Sequence, residues 1–78
     1  MNKQHKAEIE LLVSTIATGI KNLENMAISV SIDPDTGHVP GDANYRPTEK
    51  MEEEMELLES AVQLMYETNT ILSGLIKS

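Results

Sequence analysis

The sequence predicts a mainly α fold: an antiparallel helical hairpin, helix–long loop–helix, assembling as a helical-bundle oligomer. Three observations predict it. Two stretches carry apolar residues in alternating four-three spacing, the segment between them holds all three prolines, and the later stretch bears a second apolar seam beside the first.

The first stretch predicts a helix over about residues 4–27. Ile9, Val13, Ile16, Ile20, Leu23, Ala27 and Val30 follow a heptad-like seam that keeps one narrow stripe toward a neighbouring helix. Leu12 and Met26 widen the stripe on one flank, with Gly19 on the same line. Glycine in a helix interior costs about 1 kcal/mol relative to alanine, so Gly19 suggests a close helix–helix approach. The run Ile28-Ser29-Val30-Ser31-Ile32 alternates with period two and is rich in β-branched residues. It therefore permits either a short β-hairpin returning through His38-Val39 or a helix fraying into the loop.

Residues 33–47 form the connection. Asp33-Pro34-Asp35-Thr36-Gly37 is a turn signal, with proline presetting φ and glycine free to take a positive φ. The segment exceeds the 2–8 or so residues that usually join antiparallel helices, and surplus loop length often carries a function of its own. Its Tyr45 and Arg46 are residue types enriched at energetic hot spots of interfaces, and Arg46 is the only arginine in the chain. With His38, they are the candidate partner- or ligand-binding residues of the loop.

Helix two is expected over about residues 48–76, capped by Thr48 and opened by Glu49, Glu52, Glu53 and Glu54, whose charge suits the positive helix end. Its main seam is Met51, Met55, Leu58, Val62, Met65, Asn69, Leu72 and Ile76. The second seam is Leu57, Ala61, Leu64, Thr68, Ile71 and Leu75. At about 100° per residue the two seams together cover roughly 160°, more than one neighbouring helix can bury. A homo-oligomer, in the simplest case a dimer, is the expected remedy, with Met55, Leu58, Val62, Met65, Asn69 and Leu72 in its core and Leu64 and Ile71 as a further binding surface. Asn69 needs a polar partner there, for which its symmetry mate is a candidate.

Size and composition point the same way. A 78-residue chain is expected to be one domain with a marginal core, and without cysteine it has no disulfides or thiolate metal sites to reinforce it. The absence of cysteine also fits a reducing, cytoplasmic location. The net charge of −7 lies wholly in residues 33–78, and with two tyrosines and no Phe or Trp the chain is poorly suited to contact nucleic acid directly. No apolar run approaches the ~20 residues of a membrane span, and Glu8 and Glu10 break the resemblance to a secretory signal that Lys3 and Lys6 begin.

No catalytic motif, cofactor or metal is expected. The Glu52, Glu53, Glu54, Glu56 and Glu59 cluster lacks an accompanying Glu-x-x-His motif, and reads as a solvated face that complements the helix dipole. The turn at Asp33 fails as a calcium loop, because His38 stands where glycine is required and Asn44 where the bidentate glutamate belongs. His5 and His38 adjoin no nucleophile motif, and no serine lies in Gly-x-Ser-x-Gly. These features favour a non-enzymatic acidic oligomer that binds and regulates, chaperones or inhibits a protein partner. Met51, Met55 and Met65 suit such adaptable interfaces. Two alternatives remain: an oligomer that sequesters small ligands in pockets between subunits, and a helix–loop–helix filament subunit.

Overall fold

A computed structural model describes all 78 residues. Two helices, α1 (Lys3–Val30) and α2 (Glu49–Lys77), lie antiparallel in a rod of 55 × 18 × 14 Å. Each starts as its sequence dictates. Asn2 Oδ1 accepts the His5 amide at 2.8 Å, and Thr48 Oγ1 accepts the Met51 amide at 3.1 Å, so each cap satisfies an amide that the first turn leaves without a carbonyl.

The predicted seams meet. Every α1 seam residue from Ile9 to Val30 and every α2 main-seam residue from Met51 to Ile76 is buried or half-buried. Asn69 Nδ2 donates to the Val13 carbonyl oxygen at 3.2 Å, and Tyr66 Oη donates to Glu24 Oε1 at 3.0 Å, which together set the antiparallel register. Gly19 packs against Met65: a Cβ added to it would fall 2.7 Å from the Met65 terminal methyl. The glycine does mark a close approach, to a flexible side chain.

The short β-hairpin does not form. α1 continues through Ile28 and Ser29 to Val30, and no strand is present. The reason is tertiary. In helical conformation Val30 extends the seam toward the start of α2, whereas an isolated two-stranded hairpin here would have no sheet or further helix layer to bury its apolar side. The helix stops just beyond, where the Ser31 amide donates to the Ala27 and Ile28 carbonyls and Ser31 Oγ donates to the Ile28 carbonyl at 2.6 Å. Asp33-Pro34 then disfavours further helix, because the residue before proline is pushed toward extended conformations.

The loop is two consecutive turns fastened by their own side chains. Asp33 Oδ1 accepts the amides of Asp35 at 2.8 Å and Thr36 at 3.4 Å, while the Gly37 amide donates to the Asp33 carbonyl at 2.8 Å. Asp42 Oδ2 accepts the Val39 amide at 3.0 Å, and the Asp42 amide returns a bond to the Val39 carbonyl at 3.1 Å. Gly37 (φ 76°) and Gly41 (φ 104°) supply the left-handed conformations these turns require.

The interior of this rod is slight. Only Ile20 and Met51 are buried, and the accessible surface is 5841 Å². A compact folded monomer of 8.6 kDa exposes about 4,700 Å² by the usual mass scaling. The hairpin therefore carries an excess of about 1,100 Å².

Candidate interaction surface

The second seam of α2 lies outside the contact with α1. In an antiparallel pair, residues displaced in the same angular sense from the seam of each helix fall on the same face of the hairpin. Tyr66 and Glu24 join on one side, where Lys21, Ile28, Glu59 and Gln63 also lie. Met65 lies over Gly19 toward the other. That opposite face takes Leu12, Thr15, Asn22 and Met26 from α1 and the entire second seam of α2.

Leu57, Leu64, Ile71 and Leu75 keep between 41% and 71% of their area exposed, and Leu12 and Met26 keep about half. The stretch from Leu57 to Leu75 is about 27 Å long at 1.5 Å per residue. Charged side chains border it along its length, with Glu67 beside Ile71 and Glu56 beside Leu57. Further charges stand at its two ends, Lys50, Glu53 and Glu54 near the loop and Glu8 near the open end of the hairpin. Broad apolar patches are unusual on monomers, which makes this face the candidate interaction surface.

The candidate site residues thus divide into two groups. Leu64 and Ile71 belong to the apolar face. Tyr45, Arg46 and His38 sit in the loop, and Leu64 is about 22 Å along α2 from its first residue, so the structure does not join the groups into one pocket. Met55, Leu58, Val62, Met65, Asn69 and Leu72 are half-buried in the seam between the chain's own helices.

Asn69 corrects one expectation. Its amide nitrogen is satisfied by Val13 of the same chain, so a symmetry mate is not needed for it, while Oδ1 is buried without a protein partner. Helix one approaches closely enough at Val13 to supply a main-chain carbonyl, which the spacing of apolar residues could not reveal.

In the loop, Tyr45 is half-buried with its hydroxyl enclosed and unpaired. Arg46 is exposed, yet Nη1 donates to the Ala43 carbonyl at 3.3 Å and the Tyr45 carbonyl at 2.8 Å, so the fork is partly committed to its own backbone. His38 Nδ1 stands 3.7 Å from Asp42 Oδ2. The Asp35 amide above all holds the Asp33 carboxyl below its ordinary pKa; desolvation opposes it, and the Thr36 amide and hydroxyl and the nearby His38 add to the lowering. Beneath the loop an open cleft of about 320 Å³ is lined by Val30, Asp33, Thr48, Lys50 and Met51 among others.

Sequence reasoning passed over the Tyr66–Glu24 contact. The hydrogen bond, and secondarily the charge of Glu24, raise the Tyr66 pKa. Nothing in the spacing of either helix signals this pair, because it depends on the register between helices. No three His, Asp or Glu side chains converge, and no helix is long and apolar enough to cross a membrane. No protein-family model, curated protein or solved structure matches the chain.

Proposed function

We propose that this chain is a non-enzymatic interaction protein that self-associates through its apolar face into a helical bundle, in the simplest case a dimer, and in that form binds and regulates a protein partner, as chaperone or inhibitor. The observation that carries the reading is the row of exposed apolar side chains Leu57, Leu64, Ile71 and Leu75, with Leu12 and Met26 also exposed, on a hairpin with only two buried residues. The elongated rod as a whole exposes about 1,100 Å² more than a compact monomer of its mass, and a standard stable interface buries ~800 Å² per partner. Covering that face with a second hairpin makes four helices around a shared core, the arrangement that small cysteine-free helical chains can use in place of disulfides.

Once the face is occupied, the loop and the acidic first turns of α2 remain outside the bundle to meet a partner. The ligand-sequestering alternative has less support, since the only arginine is already bonded to loop carbonyls. Sedimentation velocity at micromolar concentration tests the assembly: a closed oligomer of fixed mass is expected, a monomer would refute it, and continuous growth with concentration would favour the filament alternative. For the loop, Tyr45→Ala and Arg46→Ala are expected to weaken capture of the partner by some thirtyfold, an effect of about 2 kcal/mol, without changing oligomer mass. Normal binding by both variants, and by a chain whose loop is a glycine–serine linker, would move the partner site onto the helices.

A further inference from the structure

We infer that the molecule seated on the apolar face is a second copy running antiparallel to the first, so that the loop end of each hairpin lies beside the open end of the other. This rests on the self-association proposed above and adds its geometry. The argument is electrostatic, and it follows from how the fold distributes charge along the 55 Å rod.

The loop end, residues 33–59, carries nine acids against Arg46 and Lys50, a net charge of −7. The open end, formed by residues 1–12 and 68–78, carries Lys3, Lys6 and Lys77 against Glu8 and Glu10, a net charge of +1. The apolar face, bordered by Glu56 and Glu67, lies between them. Two copies packed face to face have a twofold axis either along the helices or across them. With the axis along the helices, the two strongly acidic ends lie side by side, as do the two weakly basic ends, and every end-to-end interaction is repulsive. With the axis across, each acidic end faces a weakly basic one. Directly at the rim, Lys50, Glu53 and Glu54 at one end and Glu8 at the other leave a net charge of −1 at each, so the rim is indifferent and the whole ends decide. Stacked helix layers are about 10 Å apart, close to the Debye length at physiological salt, so the repulsion of the parallel arrangement is reduced without being abolished. The apolar face permits both arrangements, since its seam is of similar length on either side of its midpoint. Charge then selects the antiparallel one.

The absence of native cysteine makes the geometry directly measurable. Asn44→Cys places a single nitroxide label on the exposed loop, and dipolar electron resonance reads the distance between copies. In the antiparallel arrangement the labels lie on the order of 50 Å apart, near the length of the rod. In the parallel one they lie within about 25 Å, across two helix layers. Sedimentation of the labelled protein separates the two ways of failing. A monomer overturns the self-association and with it this inference, whereas an oligomer whose labels lie within 25 Å overturns the orientation alone. A second variant checks the cause: Lys3→Glu, Lys6→Glu and Lys77→Glu together should weaken the dimer at low ionic strength, with the loss fading as salt rises. An unchanged dissociation constant at low salt would remove the electrostatic basis.

Discussion

Replacing Leu64 and Ile71 by glutamine examines the apolar face where its consequence is largest. These side chains are 63% and 67% exposed in the isolated hairpin, so nearly all of that area is available for burial against a second copy. Full burial of a leucine or isoleucine contributes about 1.5–3 kcal/mol, so two thirds of a side chain contributes about 1–2 kcal/mol. A twofold dimer buries each residue twice, and the four side chains together contribute about 4–8 kcal/mol. Leu64→Gln with Ile71→Gln should therefore raise the dimer dissociation constant by at least about a thousandfold. Glutamine is a good helix former, so the change does not tax the helix itself. Sedimentation velocity and far-ultraviolet circular dichroism across a dilution series give the readout. The double variant should sediment as a monomer at concentrations where the parent is dimeric, or unfold there if the hairpin depends on its partner for stability. Unchanged mass and an unchanged dissociation constant would refute the assignment of this face.

Three further outcomes follow from the seams and the inter-helix contacts. Val62→Asp, which puts a charge into the half-buried seam, should unfold the protein, whereas Glu53→Ala on the exposed side should shift stability by no more than about 0.5 kcal/mol; chemical-denaturation midpoints that moved equally would show the faces of α2 to be misassigned. Asn69→Leu removes an enclosed carbonyl oxygen that has no protein partner, so it should stabilise the fold by about 1–2 kcal/mol, and a lower denaturation midpoint would show that the bond to Val13 outweighs that gain. In a Tyr45→Phe background the single phenol of Tyr66 should titrate above its ordinary pKa, and Glu24→Gln should return it toward that value, followed by phenolate absorbance. Because the folded-state pKa is the raised one, this contact contributes its full stability below the unfolded phenol's value of about 10 and loses it as pH climbs through the folded one.

The connection shows where local signals sufficed and where they ran out. Thr48 as the cap of α2, a turn at Asp33 and a positive φ at Gly37 were legible because each depends on a few adjacent residues. The residues from Ile28 to Ile32 were ambiguous because β-branched alternation is compatible with a strand or a helix end. The seam settled them. Val30 gains an opposing helix only when the backbone stays helical, and no second layer existed to reward a strand.

By itself the sequence determined that two amphipathic helices form, which stripe of each faces the other, and that the second carries more apolar surface than one neighbour can cover. These properties follow from spacing along a single helix, where 100° per residue converts position into direction. Only the tertiary structure decided that Gly19 meets Met65 and that Lys21, Glu24, Glu59 and Tyr66 share one side of the hairpin. The same register gave Asn69 its partner in Val13 and brought the two termini of the chain to one end of the rod. The physical reason is that a helical pattern specifies angles about its own axis, whereas the level and sense in which two helices meet depend on loop geometry and on contacts between residues far apart in the chain.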